Sequence, residues 1–347
     1  MTTRPLQRGQ MLVEWGAGLG SANHHEVWLN CHSQAFPPGS KLFINPEISC
    51  LRQEQTIRTA VECAGVGLHS GAPVHLRILP GTAGSGIIFR RVDLDDFDVE
   101  ATGRNVARVS YATSLMKKGV LISTTEHLLS AFIGMGIDNA TVELDNLELP
   151  ILDGSAQPFI ELIQKAGIRK QRRPRTYLRI CRELELREGN KFIAIYPADG
   201  CSVEYSINFS HPLIGRETFS LDLTNGNYLA EIAPARTFGF LHEADAMRRQ
   251  GLIRGASADN AVVLTRDGIM NPPLRFGDEF VRHKVLDLIG DLALLGKQIL
   301  GTVVADRAGH AMHTALVSRL LRDRSLWEET TLDGETVESA VGAHAHA

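Results

Sequence analysis

Hydrophobic and polar residues alternate along several short segments in the first half of the chain. The alternation predicts strands at TIRTAVEC (56–63), PVHLRILP (73–80), GIIFRRV (86–92) and ATVELDN (140–146). Helical spacing of apolar residues appears in HLLSAFIGMG (127–136) and PFIELIQKAGI (158–168). The first of these helices follows Ser123-Thr124-Thr125, where Thr124 or Thr125 is a suitable N-cap residue, and it ends at glycine.

The second half of the chain repeats this pattern. Residues 177–209 supply several strands, and a long helix is predicted from about Asp278 to Leu295, ending at Gly296. ILGTVVAD (299–306) then predicts a strand and GHAMHTALVSRLLRD (309–323) a last helix. Because both halves combine strands with a helix that has a histidine near its start, we predict an α+β fold of two similar domains.

The order of these segments predicts domain limits. Residues 1–52 lack periodicity and are expected to be a poorly ordered extension. The first α+β domain covers 53–173 and the second 174–327, with the basic, proline-containing RKQRRPR as the linker between them. Residues 328–347 are expected to be a loose tail.

Two fragments of known motifs occur in the extension. Gly16, Gly18 and Gly20 begin like a dinucleotide-binding fingerprint, but Ser21 follows and no βαβ unit is evident. His25-Glu26 begins like the zinc motif HExxH, but Leu29 stands where the second histidine belongs. Neither fragment predicts a site.

Composition narrows the class of protein. The chain is 44% hydrophobic and 22% charged, as in globular proteins, and 36 basic against 40 acidic residues leave a net charge of −4. We therefore expect no nucleic-acid partner. No run of 18 apolar residues occurs, because Asp287, Asp291 and Lys297 interrupt the most apolar stretch, so no transmembrane segment is predicted. Five cysteines without CxxC spacing indicate a reducing compartment, and we expect a cytoplasmic location.

The long helix of the second half carries the most informative polar residues. His283, Asp287 and Asp291 are spaced i, i+4 and i+8 and therefore share one helix face. The surrounding residues are almost all apolar, so this helix is predicted to be buried. A buried aspartate must be paired, hydrogen-bonded or bound to a metal. The pattern is compatible with a metal-binding or catalytic role for these residues, and it is also compatible with buried ion pairs that only stabilise the fold.

Four further residues have a possible catalytic use. His127 would complete a metal-binding set of two histidines and one aspartate with His283 and Asp287, and Glu126 would lie beside it as a general base. The alternative for Glu126 is structural, because an acidic residue in the first turn of a helix interacts favourably with the helix dipole. His310 follows a glycine and suits a general acid partnered by Asp291, or it is an ordinary turn residue. Thr237 can donate to an oxyanion, or it is a strand-edge residue between core aromatics.

Taken together, the motifs resemble a known family. From about Gln55 to Trp327 the chain is similar to the UDP-3-O-acyl-N-acetylglucosamine deacetylases, the zinc amidases of bacterial lipid A biosynthesis. The resemblance is carried by GVGLHSG (65–71), STTEHLLSA (123–131), GIDNATVEL (136–144), ILDGSAQPF (151–159), ARTFGF (235–240), FGDEFVRHKVLDLIGDLALLG (276–296) and GHAMH (309–313).

The resemblance implies a role for each of these residues. His127, His283 and Asp287 are the implied ligands of Zn²⁺, with Fe²⁺ as the other possible metal. Glu126 is implied as the general base that activates a water at the metal, and His310, held by Asp291, as the general acid. Thr237 is implied to stabilise the tetrahedral oxyanion. Lys284, Lys191, Phe238 and His69 are implied to contact the substrate.

The resemblance also implies the fold and the reaction. The fold is two similar β-β-α-α-β domains in a layered sandwich with the active site between them, and an insert at about 238–261 forms an apolar passage for an acyl chain. The reaction is hydrolysis of the N-acetyl amide of UDP-3-O-acyl-N-acetylglucosamine, a small-molecule substrate, to UDP-3-O-acyl-glucosamine and acetate. We expect a monomer. The alternative is a non-catalytic nucleotide-sugar or lipid-binding protein on this scaffold, which is disfavoured because Glu126 and all the implied ligands are present.

Overall fold

The computed structural model describes residues 52–107 and 111–332. The predicted N-terminal extension, apart from Arg52, and residues 333–347 of the predicted tail lie outside these ranges. None of the helices in the described part of the chain has the length and hydrophobicity of a membrane span.

The first half of the described chain is a five-stranded sheet with two helices and two short strand pairs. Its elements are β1 (Gln53–Ile57), β2 (Val61–Val66), β3 (Pro73–Pro80), β4 (Ile87–Arg91), β5 (Phe97–Glu100), β6 (Leu115–Lys117), β7 (Val120–Ile122), α1 (Glu126–Met135), β8 (Ala140–Leu144), α2 (Gln157–Ala166) and β9 (Ile168–Pro174). Along β3, buried and exposed residues alternate, so one face of this sheet packs on the core and the other faces solvent.

The second half contains a larger sheet and most of the helices. Its elements are β10 (Tyr177–Ile180), β11 (Leu184–Glu188), β12 (Lys191–Tyr196), β13 (Cys201–Asn208), β14 (Arg216–Asp222), α3 (Asn225–Asn227), β15 (Phe238–Phe240), α4 (Leu241–Arg249), β16 (Val262–Leu264), α5 (Glu279–Leu292), β17 (Ile299–Asp306), α6 (His310–Arg322) and β18 (Trp327–Thr330). Single 3₁₀ or π turns lie at Gly103–Asn105, Tyr228–Ile232, Ala293–Leu295 and Arg324–Leu326.

In the described part of the chain the second sheet has seven strands, and five of them repeat the topology of the first sheet. The strand order is β2-β3-β8-β4-β5 in the first sheet, and the matching five strands of the second have the order β11-β12-β17-β13-β14. The other two strands of the second sheet are β10, which pairs with β17, and β18, which pairs with β10. In each set of five, the central strand (β8 or β17) comes last in the chain, runs antiparallel to one neighbour (β3 or β12) and parallel to the other (β4 or β13). The α+β class is therefore confirmed, and the repeated topology supports the prediction of two similar halves.

The helices pack against the buried faces of the two sheets and against one another. α1 packs against α5, α2 packs against α1 and β2, and α6 packs against α5 and β12. The buried residues of α1 and α5, among them Leu128, Phe132, Leu286 and Ile289, belong to one hydrophobic core that continues into both sheets. The first residues of α1 and the middle of α5 thus meet inside the protein.

Three predictions about local structure were wrong. TIRTAVEC is not one strand, because β1 ends at Ile57 to pair with β9 while β2 begins at Val61 to pair with β3. RKQRRPR is not a linker, since six of its residues lie in β9. Residues 328–330 are not loose, because β18 pairs antiparallel with β10. The domain boundary at residue 173 stays a prediction.

Candidate active site

Three predicted metal ligands meet where α1 and α5 pack together. His127 is the second residue of α1, and His283 and Asp287 lie one turn apart on α5. The Asp287 Oδ1 atom is 3.4 Å from Nε2 of His283 and 3.7 Å from Nε2 of His127. Within the described residues these three form one of two groups whose ligand atoms all lie within 4.8 Å of one another.

The chemistry of these three groups fits a divalent metal. Asp287 Oδ1 is buried and has no hydrogen-bond partner, which is costly for a carboxylate unless a cation occupies its free side. His283 Nδ1 donates to the carbonyl of Ala235 at 3.1 Å, which leaves the Nε2 lone pair free to bind a metal. Burial lowers the pKa of His283, and it lowers the pKa of His127 to about 3, which favours the neutral, metal-binding form of both imidazoles.

The charge of Asp287 is maintained by its neighbours. Burial opposes ionisation, but His283 and Lys284 hold the pKa of Asp287 well below its usual value. The Lys284 ammonium donates to Asp287 Oδ2 at 2.8 Å. The carboxylate therefore presents one paired oxygen to Lys284 and one free oxygen to the two imidazoles.

Glu126 precedes His127, and its buried carboxylate faces His310. Its Oε2 accepts a hydrogen bond from the backbone N–H of Thr113 at 3.1 Å, and its Oε1 is 3.9 Å from Nε2 of His310. Burial raises the pKa of Glu126 to about 8, with His310 acting in the opposite direction. A carboxyl group that titrates near neutral pH can both accept and release a proton.

His310 begins α6 and faces Glu126 across the site. Its Nδ1 donates to Asp291 Oδ2 at 2.8 Å, and its Nε2 is 3.7 Å from Asp287 Oδ2. Burial disfavours the imidazolium, but Asp291 and Asp287 outweigh it and raise the pKa of His310 to about 9. Asp291 itself is fully buried, and His310 and His313 hold its pKa low against the effect of burial. The site thus places a carboxyl group that titrates near pH 8 beside an imidazolium that can give a proton.

Comparison with known proteins shows which family the chain belongs to. A model of the family described as UDP-3-O-acyl N-acetylglycosamine deacetylase matches residues 54–322. A UDP-3-O-acyl-N-acetylglucosamine deacetylase from Solibacter usitatus is 55% identical over 284 residues, covering 82% of this chain and 96% of that protein. The chain belongs to this deacetylase family.

Other relatives in the family match over similar lengths. The deacetylase of Nitratiruptor sp. is 45% identical over 294 residues, covering 83% of this chain and 98% of its own. The deacetylase of Cellvibrio japonicus is 42% identical over 287 residues, covering 82% and 95% of the two chains. This chain therefore spans nearly the whole length of these deacetylases.

Of the remaining predicted site residues of this family member, Phe238 lies next to His283 and Lys284, whereas Thr237 and Lys191 are placed by the elements that carry them. Phe238, in β15, lies edge-on to His283 with ring centroids 6.4 Å apart, and the Lys284 ammonium is 5.5 Å from its ring centre. Thr237 comes immediately before Phe238 and donates its backbone N–H to Gly154 at 2.7 Å. Lys191 is exposed at the start of β12, at the sheet end where β17 leads to His310.

His69 lies in a loop that is fixed from two sides. Its backbone N–H donates to the buried carboxylate of Glu148 at 2.8 Å, and its carbonyl accepts from Arg254 in the predicted insert at 3.1 Å. Both nitrogens of its ring are buried without a hydrogen-bond partner. Burial lowers the pKa of His69, so the ring is a neutral group available to a ligand.

The predicted insert of this deacetylase family member begins beside a cluster of aromatic side chains. It runs between the parallel strands β15 and β16 and contains α4, none of whose residues is buried. The rings of Phe209, Phe238 and Phe240 pack together at its base with centroids 5.7–6.4 Å apart. This cluster adjoins His283 through Phe238.

Two residues of the site were missed by the sequence interpretation. His313 is fully buried, with Nδ1 2.9 Å from Asp291 Oδ2 and Nε2 3.0 Å from the Tyr205 hydroxyl. Its i, i+3 spacing from His310 was a usable signal, because that spacing places both rings on one helix face. Thr113 was also missed, and no periodicity or motif marks it, since its partners come from distant segments.

Proposed function

We propose that this chain hydrolyses the N-acetyl amide of UDP-3-O-acyl-N-acetylglucosamine, giving UDP-3-O-acyl-glucosamine and acetate for lipid A biosynthesis. One observation carries the proposal: the unpartnered oxygen of Asp287 faces two imidazoles, and His310 lies 3.7 Å from Asp287 and 3.9 Å from Glu126. Amide hydrolysis needs an activated water, a stabilised oxyanion and a proton for the leaving amine. Membership of the deacetylase family specifies which amide is cleaved.

We assign the metal to His127, His283 and Asp287, with Zn²⁺ as the favoured ion and Fe²⁺ as the alternative. Two imidazoles and one carboxylate without thiolate suit either ion, and three protein ligands leave coordination positions open. When bound, the metal supplies Lewis acidity to the amide carbonyl and to the attacking water.

Glu126 acts as the general base in this proposal. The Thr113 N–H holds Oε2, so Oε1 is the oxygen that accepts the proton of the attacking water. Burial keeps bulk water away from this oxygen, which strengthens the hydrogen bond to the attacking water.

His310 acts as the general acid. Asp291 holds its Nδ1–H, so the Nε2–H, which lies on the side of Glu126, is the donor that protonates the leaving amine. A pKa of about 9 keeps the ring charged at neutral pH, ready to give this proton. The separation of 3.9 Å between Glu126 Oε1 and His310 Nε2 leaves both groups within reach of one tetrahedral centre.

The surrounding residues are proposed to bind the rest of the substrate. The Thr237 hydroxyl stabilises the oxyanion. Lys284 and Lys191 contact the substrate as compact charges suited to a diphosphate, and His69 and Phe238 line the cleft around the sugar. The cluster of Phe209, Phe238 and Phe240 begins the apolar passage for the acyl chain, where each buried CH₂ contributes about 0.8 kcal/mol.

The proposal is tested by incubating the purified chain with UDP-3-O-acyl-N-acetylglucosamine and measuring acetate release and the mass of the nucleotide product. The expected result is stoichiometric acetate and free amine, abolished by removing metal with a chelator and restored by Zn²⁺ or Fe²⁺. His310→Gln is the matched variant, because it removes the acid and leaves the three proposed ligands. Tight substrate binding without acetate release from the metal-loaded wild type would establish the binding-protein alternative instead.

A further inference from the structure

We propose that Thr113 is a positioning residue that sets the general base and the partner of the general acid in one fixed arrangement. This inference rests on the proposed roles of Glu126, Asp291 and His310. Thr113 lies just before β6, outside both helices that carry the metal ligands, and its side chain is fully buried. Its main chain contacts Glu126 and its hydroxyl contacts Asp291.

The main chain of Thr113 is attached to the start of α1 at two points. Its N–H donates to Glu126 Oε2 at 3.1 Å. Its carbonyl accepts from both the backbone N–H and the hydroxyl of Thr125, each at 3.2 Å. Because Thr125 immediately precedes Glu126, Thr113 is held against the residue whose carboxylate it orients.

The hydroxyl of Thr113 reaches in the opposite direction, to α5 and α6. It donates to Asp291 Oδ1 at 2.5 Å and lies 3.1 Å from Nδ1 of His310. Asp291 Oδ2 is already occupied by Nδ1 of His310 and Nδ1 of His313. Both oxygens of this fully buried carboxylate are thus satisfied, and the hydroxyl fixes its rotation about the Cβ–Cγ bond.

One residue therefore spans the distance between the two proton-transfer groups. Glu126 belongs to α1 in the first half, whereas Asp291 and His310 belong to α5 and α6 in the second. Loss of the Thr113 hydroxyl would leave Asp291 Oδ1 buried without a donor and allow the carboxylate and His310 to rotate away from the reacting amide. The metal ligands would be untouched, because Thr113 contacts none of them through the hydrogen bonds described.

The two contacts of Thr113 can be tested separately. Thr113→Val removes the hydroxyl and keeps the N–H to Glu126, whereas Thr113→Ser keeps both. We expect Thr113→Val to lower kcat by about 10- to 100-fold, the usual cost of removing a supporting hydrogen bond, with KM and metal content unchanged. Thr113→Ser should restore kcat to within about threefold of wild type, because it recovers the donor to Asp291. Thr113→Ala serves as a second hydroxyl-free variant if Thr113→Val does not fold.

A double-mutant cycle identifies the route of the effect. In an Asp291→Asn background, Thr113→Val should lower kcat no further, because the acceptor of its hydroxyl has already changed. Equal losses in both backgrounds, wild-type kcat in Thr113→Val, or failure of Thr113→Ser to recover activity would each overturn the inference.

A readout independent of turnover separates this inference from the proposed function. The imidazole Nδ1–H of His310, observed by NMR in the metal-loaded protein, should shift in Thr113→Val and stay at its wild-type position in Thr113→Ser. An unchanged resonance in Thr113→Val would refute the positioning role even in an active enzyme. Absence of acetate release from wild type would instead refute the proposed function, and the NMR comparison would still decide the role of Thr113.

Discussion

Gly290 in α5 lies directly against the main chain of Glu126 in α1. A Cβ atom at position 290 would stand 2.1 Å from the carbonyl oxygen of Glu126 and 2.9 Å from its Cα. Only glycine fits such an approach, because real Cβ atoms essentially never come this close to backbone. Asp287 and Asp291 lie on either side of Gly290 along α5, so this contact sets how far the acidic residues of α5 are from Glu126 and His127.

Gly290→Ala should therefore damage both stability and the metal site. The added methyl group forces α1 and α5 apart, and overpacking of this kind costs about 1–3 kcal/mol. We expect a lower Tm together with weaker metal retention in dialysis, because His127 moves away from His283 and Asp287. Gly277→Ala is the matched control, since a Cβ there meets nothing within 4 Å. Equal Tm and metal retention in the two variants would contradict this explanation.

Glu148 links the His69 loop to the start of α1. Its buried carboxylate accepts the backbone N–H of His69 and of Ser70, at 2.8 and 2.7 Å, and the Thr124 hydroxyl at 2.9 Å. Thr124 has φ of 58°, a left-handed conformation that needs such support.

Glu148→Gln replaces one carboxylate oxygen with an NH₂ group, which cannot accept the hydrogen bond from the backbone N–H of His69 or Ser70. The His69 loop should therefore be held less tightly. We expect a loss of about 1–3 kcal/mol in the free energy of unfolding and a higher KM, since His69 lines the proposed cleft. Glu143→Gln, in β8 near the partly exposed Arg77, should stay within about 0.5 kcal/mol of wild type. Urea titrations and steady-state kinetics measure both effects, and an unchanged KM in Glu148→Gln would remove His69 from the cleft.

The pH dependence of stability should reveal Glu217. Its carboxylate accepts the backbone N–H of Val281 at 2.9 Å, and burial raises its pKa from 4.5 to about 7. A raised carboxyl pKa means that the folded state favours the protonated form of Glu217 more than the unfolded state does. The stability that the protonated side chain contributes is therefore fully present below pH 4.5 and is lost as pH rises through 7. Glu217→Gln lacks this loss, so its stability relative to wild type should increase between pH 4.5 and 7.

Denaturant unfolding of wild type and Glu217→Gln at several pH values tests this sign. The exposed Glu204→Gln on β13 serves as the control. If the stability of Glu217→Gln minus that of wild type stays flat or falls as pH rises, the pKa of Glu217 is not raised in the folded state.

Sequence reasoning succeeded where one side of an element faces the core. Strand β3 and helix α2 show clear periodicity because their buried residues recur at the spacing of the element. Strand β9 was missed because its residues are exposed or half-buried on both faces, so the basic RKQRRP run shows no alternation. The N-cap of α1 was predicted at Thr124 or Thr125, and Thr125 holds the position. Its hydroxyl donates to Thr113 and does not cap the helix.

The same limit applies to the site. His283 and Asp287 could be predicted because their i, i+4 spacing on an apolar helix is visible in one segment. Thr113 could not, since its partners Glu126 and Asp291 are 13 and 178 residues away. Contacts of that kind depend on how α1 and α5 pack, which no local pattern encodes. The roles that the family resemblance implies therefore fall on residues in recognisable motifs and leave out Thr113, which contacts Glu126 and Asp291 from another segment.

The most direct test of the central claim measures metal content and turnover together in wild type, Glu126→Gln and His283→Ala. The account predicts about one metal per chain and acetate release in wild type. Glu126→Gln should keep the metal and lose about 10²- to 10⁴-fold in kcat, the usual contribution of a general base, while His283→Ala loses both metal and turnover. Near-wild-type turnover in Glu126→Gln, or full metal content in His283→Ala, would contradict the account.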